Sequence, residues 1–314
     1  ALIINDGPGG GGLPIGGTCV NVGCVPSKAL IRAAEAHHHA TRHPFDGIMS
    51  ESSVADFNAV TSQVQALVSD LQQHKYIDVV ASDPNIEIRE GRARLTGPQS
   101  VEVGEETITG TQILIATGAR TFVPDIPGLK ETGYLTNEDL YTLNEQPEHL
   151  IVLGGGYIAL ENAQAFARLG SAVTVLQRSG QVLSREDADV AEALTGYLRE
   201  EGLTIHTSTS MQAVQRSNGS VQLEATIDGR AQTLSGSHLL VATGLQGNTD
   251  DLGLEALGIK TQGRGFLPVG DTLQTGVSTV YGAGDVIGDP AFVYTAAREG
   301  QRAAENALEG TALS

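Results

Sequence analysis

The chain has 314 residues, 40% of them hydrophobic, which is enough to give two ordinary domains a packed core each. Its formal net charge of -18 excludes nucleic acid as a partner, because phosphate binding depends on clustered Lys and Arg. No stretch approaches the roughly 20 apolar residues that cross a bilayer, and the first residues lack the features of a signal peptide. We therefore predict a globular, cytoplasmic protein without a membrane partner, whose acidic surface reflects either simple solvation or adaptation to high salt.

The predicted elements of the first half alternate between strand and helix. A short buried strand at residues 2–4 leads into a glycine-rich segment, and a helix over residues 27–42 follows Pro26, a residue tolerated at helix starts. Another helix is predicted over residues 54–74, where apolar residues recur at three- and four-residue steps. Its predicted core positions are Val54, Phe57, Val60, Val64, Leu67 and Leu71. Short strands are then predicted at residues 86–88, 101–103 and 113–116.

A new pattern begins after residue 147 and predicts a second domain. Its first part, a βαβ unit, is predicted from a strand at 150–153, a helix at 157–169, a strand at 172–176 and a helix at 187–201. Strands at 203–207, 221–227 and 238–242 complete this domain near residue 263. A last strand at 279–281 and a helix at 294–308 are expected to return to the first sheet. The predicted domains are therefore 1–147 with 264–314, and 148–263.

Cys19 and Cys24 are the only cysteines, too few for the disulfide framework of a small secreted domain. Four residues separate them at the mouth of a predicted helix, where unpaired N–H groups and the helix dipole stabilise a thiolate. Lys28, one turn further on, adds positive charge near the thiolate or an electron-rich cofactor. The alternatives are a chance pair of buried cysteines or half of a zinc site, whose spacing fits poorly. The histidines considered for that zinc site are His37, His38, His39 and His43; the first three are predicted to be solvated because they point in different directions around a helix.

A second motif, GGGYIA over residues 154–159, has the G-x-G-x-x-A form of a dinucleotide site. It follows a predicted strand and opens a predicted helix, which is the context that this motif requires. Its glycines let a pyrophosphate approach the backbone and the helix N-terminus; a purely structural glycine turn is the alternative. Where an Asp or Glu would bind the ribose of NAD, the chain has Gln177 followed by Arg178, which favours NADPH over NADH unless Arg178 is a simple surface charge.

The segment GGTCVNVGCVPSK resembles the active-site disulfide motif of the pyridine nucleotide-disulfide oxidoreductases, the family of glutathione reductase, dihydrolipoyl dehydrogenase and mercuric reductase, and GGGYIALE is similar to its nucleotide motif. The resemblance implies an α/β fold with two Rossmann-like domains, glutathione reductase-like, and FAD and NADPH as cofactors. It implies that Cys24 forms a charge-transfer complex with the flavin and that Cys19 exchanges with substrate. It also implies that Tyr157 covers the nicotinamide pocket and that Glu161 pairs with Lys28 beside the flavin.

Three further segments, residues 115–120, 241–245 and 281–285, resemble cofactor-contacting signatures of the family. In the last of them the resemblance makes Asp285 a hydrogen-bond acceptor for the ribityl chain, with Val293 as a nearby backbone contact. Leu245 stands where relatives commonly carry Arg, a departure next to the predicted nucleotide contact Gly244. The other predicted cofactor positions are Gly17, Thr18, Lys28, Ala93, Thr117, Gly118 and Gly284 for the flavin, and Gly154, Gly156, Tyr157, Ile158, Glu161 and Arg178 for the nucleotide.

The segments IRAAEA, HPFDGI, SREDADV and GDPAFVYTAAREG make the chain most similar to the mercuric reductase branch of the family. This resemblance implies reduction of Hg(II) to Hg(0), with Cys19 and Cys24 as ligands of the Hg(II) substrate. The alternatives are a dihydrolipoyl dehydrogenase-like enzyme and a nucleotide-binding fragment without a catalytic cycle. The resemblance further implies that the chain is shortened: it would lack the first flavin strand with its G-x-G-x-x-G turn, and the interface domain through which relatives form homodimers.

Overall fold

The computed structural model describes residues 1–8, 12–42, 45–288 and 290–309, which form a mixed α/β fold, as predicted. Among these residues, no helix is both long enough and apolar enough to cross a membrane. The α-helices are α1 Gly17–Asn21, α2 Cys24–Thr41, α3 Phe57–Gln72, α4 Asp78–Ala81, α5 Leu129–Thr132, α6 Asn137–Leu140, α7 Tyr157–Arg168, α8 Ala188–Glu200 and α9 Val293–Glu309. Single turns of other helix types are π-helical Gln73–Ile77 and 3₁₀-helical Leu254–Leu257 and Gly284–Ile287.

The strands are mostly short. They are β1 Leu2–Asn5, β2 Glu87–Glu90, β3 Ala93–Gly97, β4 Ser100–Val103, β5 Glu106–Thr109, β6 Ile113–Ile115, β7 Ala119–Thr121, β8 His149–Leu153, β9 Ala172–Leu176, β10 Thr204–His206, β11 Ser210–Ser217, β12 Ser220–Ile227, β13 Arg230–Gly236, β14 His238–Val241, β15 Leu245–Gly247 and β16 Val280–Gly282. Every strand predicted from the sequence is present within one or two residues at each end. The strands β3, β5, β7, β11, β13 and β15 were not predicted. Exposed polar residues hide the apolar alternation in β3, β5, β11 and β13, and β7 and β15 are only three residues long.

The chain divides into two compact units. The first comprises Ala1–Asn21, Leu71–Phe122 and Leu245–Ser314, and the second comprises Val22–Asp70 and Val123–Gly244. The predicted domains, 1–147 with 264–314 and 148–263, concern which cofactor each part binds. That assignment stays a prediction.

The second unit is built on a parallel sheet of order β10-β9-β8-β14. In chain order within the sheet these strands correspond to the order 3-2-1-4 of a doubly wound fold, with β8, α7 and β9 as the βαβ unit at its centre. Residues of β8 alternate between two cores because successive side chains point to opposite faces of a sheet. Leu150 and Val152 pack with the helices α2, α3 and α7, whereas Ile151 and Leu153 pack with the antiparallel sheet β11-β12-β13.

Helices α2 and α3 cover one face of this sheet. In α3 the buried stripe consists of Phe57, Thr61, Val64 and Val68. The prediction that Leu67 belongs to the core is wrong, since 43% of its side chain is exposed. A polar residue is tolerated in the stripe because the Thr61 hydroxyl donates to the Leu143 carbonyl at 3.0 Å.

Helix α2 begins earlier than the sequence predicts. It starts at Cys24, not after Pro26, and Pro26 lies in its first turn, where its missing N–H removes no helical bond. The short helix α1, which contains Cys19, was not predicted.

The first unit contains small sheets around one main core. Strand β1 pairs in parallel with β2, β15 pairs antiparallel with β7, and β3, β4 and β5 form an antiparallel meander. Strand β16 pairs in parallel with β6, a strand that precedes residue 147. Leu95, Ile115 and Val280 bring β3, β6 and β16 into this core.

Candidate active site

Cys19 lies half-buried in α1 of the first unit. Asn21, the last residue of this helix, is buried, and its amide donates to the carbonyls of Gly17 at 2.9 Å and Pro14 at 3.0 Å. Gln72 in turn donates to the Asn21 side-chain oxygen at 3.2 Å. These bonds fix the approach of the chain to Cys19. Asn21 was missed by sequence reasoning, although its place between the two cysteines was a visible signal.

Cys24 is the first residue of α2 in the second unit, and its side chain is exposed. Gly23 precedes it, and no side chain of the described residues caps this helix end. The first bond of the helix runs from the Ser27 N–H to the Gly23 carbonyl at 3.0 Å. The backbone N–H groups of the first turn have no helical acceptor, so they stabilise negative charge on a thiol placed there.

Lys28 lies four residues after Cys24, on the same face of α2. Its ammonium contacts the Glu161 carboxylate on α7, with Nζ and Oε2 2.6 Å apart. The structure thus brings together two side chains that are 133 residues apart in sequence. Because 57% of the Lys28 side chain and 37% of the Glu161 side chain are exposed, the pair orients charge more than it stabilises the fold.

Helix α6 also holds the start of α2. The amide of Asn137 donates to the Val22 carbonyl at 3.0 Å, within the loop that separates the two cysteines in sequence. A capping box between Thr136 and Asp139 fixes the first turn of α6 itself. Sequence reasoning missed Asn137, and no local pattern marks it.

The predicted nucleotide turn joins β8 to α7. Gly154 has a φ of +119°, and a Cβ at this position would overlap the Ala242 carbonyl oxygen that follows β14. The turn therefore lies at the carboxyl ends of β8 and β14, where the strand order of the sheet reverses and where nucleotides bind in such folds. Gly156 is the N-cap of α7, and no described atom lies within 4 Å of a Cβ built on it. Tyr157 is exposed and Ile158 is half-buried in the first turn of α7.

The two residues after β9 differ in their surroundings. The Gln177 side chain packs on Gly155 and donates to the Ser179 hydroxyl at 2.6 Å. Arg178 is exposed and makes no hydrogen bond or ion pair among the described residues. Gly244, at the end of the second unit, is exposed with a φ of +109°.

The predicted flavin residues of the first unit occupy strand ends and turns. Thr117 and Gly118 follow β6, and the Thr117 hydroxyl donates to the Asn248 carbonyl at 2.7 Å. Gly118, like Gly17, has a positive φ, and Thr18 is half-buried in α1. Ala93 is the first residue of β3.

The flavin motif predicted at residues 281–285 contains the carboxylate of Asp285 and contacts that of Glu299. Gly284 and Asp285 form the 3₁₀ turn after β16, and Val293 is the first residue of α9. Burial raises the pKa of Asp285 above its ordinary value. The Glu299 carboxylate on α9 accepts from the Gly284 N–H at 2.8 Å; burial also raises the pKa of Glu299, and the charge of Asp285 raises it further. Glu299 was missed by sequence reasoning.

The described histidines considered for a zinc site lie near the C-terminal end of α2, away from Cys24 at its start. His37 shares a hydrogen bond of 2.7 Å with the Ser52 hydroxyl, and His39 lies 3.5 Å from Glu35. Of residues 37–39, predicted to be solvated, His39 is exposed, but His37 and His38 are both half-buried. Burial and the nearby charge of Arg168 lower the pKa of His38. His43 lies outside the described residues. In the part of the chain that the structure describes, no group of three or more His, Cys, Asp or Glu side chains is arranged to hold a metal ion.

These motifs and the fold around them define the class of protein. The sequence signature of the pyridine nucleotide-disulphide oxidoreductases matches residues 4–300, and the chain belongs to this family. Members of the family depend on FAD and use pyridine nucleotides.

The chain is also similar to curated mercuric reductases. The chain is 40% identical over 294 residues to a mercuric reductase of Staphylococcus aureus, which covers 94% of this chain and 54% of the relative. It is 43% identical over 301 residues to a mercuric reductase of Streptomyces lividans, which covers 94% of this chain and 63% of the relative. The chain thus spans about half the length of the curated relatives it matches.

Solved structures agree with the fold. The Cu(II) complex of the HOCl-induced flavoprotein disulfide reductase RclA from Escherichia coli is 31% identical with a TM-score of 0.84, covering 98% of this chain and 65% of that one. A second RclA structure gives 30% identity and a TM-score of 0.83, covering 100% of this chain and 72% of that one. The predicted glutathione reductase-like fold is confirmed.

The residues present fit the two cofactors of the family. At Gly17 and at Gly156 the backbone is exposed, and no described atom lies within 4 Å of an added Cβ, so a phosphate or ring can approach the chain closely. The free N–H groups at the start of α7 suit a pyrophosphate. The half-buried carboxylate of Asp285 suits a hydroxyl donor such as a ribityl chain.

Proposed function

We propose that the chain is the core of an FAD-dependent NADPH oxidoreductase that cycles Cys19 and Cys24 between dithiol and disulfide and reduces Hg(II) to Hg(0). One geometric observation carries the proposal: Cys24 is the first residue of α2, and Lys28, one turn further on, contacts Glu161 at 2.6 Å. A reactive thiol, a helix N-terminus and an oriented positive charge therefore meet at one place. Identities of 40% and 43% to mercuric reductases support the metal ion as substrate.

Each cofactor has a proposed set of holding residues. FAD, when bound, supplies the two-electron chemistry that connects NADPH with the cysteine pair. The proposed flavin contacts are Gly17, Thr18, Lys28, Ala93, Thr117, Gly118, Gly284, Asp285 and Val293. The proposed nucleotide contacts are Gly154, Gly156, Tyr157, Ile158, Glu161, Arg178 and Gly244.

The cysteines bind the substrate. Thiolates are soft ligands and suit a soft cation such as Hg(II). Cys24 is placed at the start of α2, and Lys28 holds positive charge one turn away. The overall reaction balances as NADPH and Hg(II) giving NADP⁺, H⁺ and Hg(0), since the hydride of NADPH carries the two electrons that Hg(II) requires.

Mercury-dependent oxidation of NADPH tests this function. We expect Hg(II) to stimulate NADPH oxidation, and we expect the substitutions Cys19→Ser and Cys24→Ser each to lower the rate at least about 100-fold, because neither serine can exchange electrons with a disulfide. The visible spectrum before and after NADPH provides the control, since a yellow protein holds flavin and a long-wavelength shoulder on reduction involves the dithiol. Activity that survives both substitutions would refute the proposal.

Two other functions are outcomes of the same assay. Stimulation by lipoamide but not by Hg(II) would establish a dihydrolipoyl dehydrogenase-like disulfide reductase. The similarity to RclA, which is itself a flavoprotein disulfide reductase, favours this alternative. A colourless protein that binds NADPH but takes up no FAD would instead be a nucleotide-binding fragment without a catalytic cycle.

The choice of NADPH rests on Arg178, which is exposed and unpaired among the described residues beside the nucleotide turn. A free guanidinium suits the 2′-phosphate that distinguishes NADPH from NADH. We expect Arg178→Gln to raise the Kd for NADPH about tenfold and to leave the Kd for NADH unchanged, as measured by fluorescence titration. Arg230→Gln, on exposed Arg230 of β13, is the control. Equal weakening of both nucleotides would show that Arg178 does not select between them.

We further propose a cytoplasmic protein that acts on a small-molecule or metal-ion substrate. The net charge of -18 supports the absence of a nucleic-acid partner.

A further inference from the structure

Asn248, the residue that follows β15, has no part in the function proposed above, yet it binds both residues of the turn at Thr117 and Gly118. Its side-chain amide donates to the Thr117 carbonyl at 3.0 Å, and its backbone N–H donates to the Gly118 carbonyl at 3.0 Å. The Thr117 hydroxyl donates in return to the Asn248 carbonyl at 2.7 Å. Three hydrogen bonds therefore join this half-buried residue to a turn that begins 131 residues earlier in the chain.

The side-chain oxygen of Asn248 is bound as well. It accepts from a guanidinium nitrogen of Arg120 at 2.9 Å, and Arg120 lies on β7, directly after the turn. The guanidinium also contacts the Asp250 carboxylate. The Asn248 side chain thus bridges the Thr117 carbonyl and Arg120, which requires a donor and an acceptor on one short planar group.

The pairing of two strands places Asn248 beside the turn. Strands β15 and β7 are antiparallel with Gly247 opposite Ala119, so Asn248 and Gly118 are the next residues along the two strands. Gly118 departs from strand geometry there, with a φ of +72°. The amide nitrogen of Asn248 lies 4.0 Å from the position that a Cβ on Gly118 would take. The Asn248 side chain therefore packs against the turn in addition to bonding with it.

The turn of Thr117 and Gly118 lies at an edge of the first unit that carries other proposed flavin contacts. It follows β6, which pairs in parallel with β16, and the Ala283 N–H donates to the Ile115 carbonyl at 3.1 Å where the two strands end. Because the carboxyl ends of parallel strands lie at the same edge of a sheet, this turn and the 3₁₀ turn that contains Asp285 leave the sheet together. It is therefore one of the two turns that a flavin would meet at this edge.

We propose that Asn248 is a positioning residue for the flavin: its side chain, bound to the Thr117 carbonyl and to Arg120, holds the turn in the shape that receives FAD. The inference rests on the proposed function in taking Thr117 and Gly118 as flavin contacts. Without the amide donor, the Thr117 carbonyl loses its partner and the turn adopts several shapes. FAD must then order the turn as it binds, so its affinity falls.

Two substitutions of Asn248 separate positioning from stability. Asn248→Asp keeps the size of the side chain and an oxygen for Arg120, but it replaces the donor to the Thr117 carbonyl by a second oxygen. Asn248→Ala removes the donor and the acceptor without adding charge. Asn218→Asp is the matched control, because Asn218 is exposed between β11 and β12 and its φ of +51° is tolerated by Asp.

Three quantities are measured on each protein after removal of bound FAD. The Kd for FAD is titrated by the quenching of flavin fluorescence, and thermal unfolding gives the melting temperature. Hydrogen exchange, corrected for the intrinsic rate of each residue type, reports the opening of the bond from the N–H of residue 248 to the Gly118 carbonyl. The last two measurements need no cofactor.

We expect both substitutions to raise the Kd for FAD about tenfold, the effect of losing one partly buried hydrogen bond, and to speed exchange at residue 248 to a similar extent. The melting temperatures should differ. Asn248→Asp should stay close to the wild type because its carboxylate binds Arg120 more strongly, whereas Asn248→Ala should unfold at a lower temperature. Weaker FAD binding with an unchanged melting temperature is a result that a purely structural role would not give.

Three results would overturn the proposal. An unchanged Kd in Asn248→Ala would assign any loss of affinity in Asn248→Asp to repulsion by the new charge. A loss of affinity in Asn248→Ala alone would assign it to general destabilisation. A wild type that takes up no FAD would leave the turn without a flavin to receive, and it would also remove FAD from the proposed function.

The result is separable from the proposed reaction. If Hg(II) and lipoamide fail to stimulate NADPH oxidation while both substitutions weaken FAD binding, the proposed reaction falls and the positioning role stands. If Hg(II) stimulates NADPH oxidation but neither substitution changes the Kd for FAD, the reverse holds.

Discussion

An ion pair lies near each end of α7, but the two ends differ in how far their polar groups are paired and buried. At the N-terminal end, Gly156 provides no side-chain cap, and the ion pair of Glu161 with Lys28 is exposed. At the C-terminal end, Arg168 makes two hydrogen bonds of 2.7 Å and 2.6 Å to Glu201, and each side chain is 19% exposed. A cation at a helix C-terminus also complements the helix dipole. The N-terminal end of α7, called the open end below, thus has uncapped polar groups where ligands are expected. The C-terminal end, called the closed end, has its polar groups paired.

The strongest test of this contrast is the glycine that leads into the open end. We expect Gly154→Ala to destabilise the protein by about 3 kcal/mol or more and to abolish NADPH binding, because its φ of +119° is strained for alanine and the new Cβ would overlap the Ala242 carbonyl. Thermal unfolding and NADPH fluorescence measure the two effects.

Gly156→Ala is the matched control for that substitution. Its φ of -81° is allowed for alanine, and no described atom lies near the added Cβ, so stability should change by less than about 1 kcal/mol. NADPH binding should still weaken, since the methyl group faces the open end of α7. Equal destabilisation by the two alanines would contradict the account of the turn.

The closed end is tested by Glu201→Gln. We expect a loss of about 2 kcal/mol at neutral pH, because the substitution leaves the half-buried charge of Arg168 without its partner. NADPH binding should not change, since the opposite end of the helix is left intact. Urea unfolding and fluorescence titration measure these quantities.

The pH dependence of the same pair follows from the pKa of Glu201. Burial works to raise this pKa, but hydrogen bonds from Arg168 and Gln164 and the charge of Arg168 outweigh it and hold the pKa below its ordinary value of 4.5. The stabilisation is therefore complete above about pH 4.5 and is lost as the pH falls through the lower folded pKa. The difference in stability between wild type and Glu201→Gln should shrink on acidification below that point; a constant difference would show that the ionised carboxylate contributes nothing.

The open end of α7 was largely predictable from the sequence. The run 150–153 followed by glycines and a helical pattern defines strand, turn and helix within about 20 residues, and the fold places them as predicted. Local signals suffice there because the turn is made by its own backbone. The contact of Lys28 with Glu161, in contrast, joins residues 133 apart, and only a family resemblance implied it.

Other parts of the site had no local signal. Asn137 acts through a hydrogen bond to the distant Val22 carbonyl, and from sequence alone it looks like an ordinary helix residue. The exposed Leu67 shows the opposite error, because a helical apolar period does not reveal where a buried Thr61 replaces an apolar residue in the stripe. Long-range polar contacts and the exact buried face of a helix are therefore the features that required the structure.

The smallest expected effect on stability belongs to the open ion pair. We expect Glu161→Gln to change the free energy of unfolding by less than about 1 kcal/mol, because both partners are exposed. The same substitution frees the Lys28 charge one turn after Cys24, so alkylation of Cys24 should become about two- to threefold faster, with the gain lost at high salt. Lys28→Met removes the charge instead and should slow alkylation without altering stability. If Glu161→Gln lowered the free energy of unfolding as much as Glu201→Gln, the proposed difference between the two ends of α7 would be refuted. The exposed ion pair would then contribute as much to stability as the half-buried one.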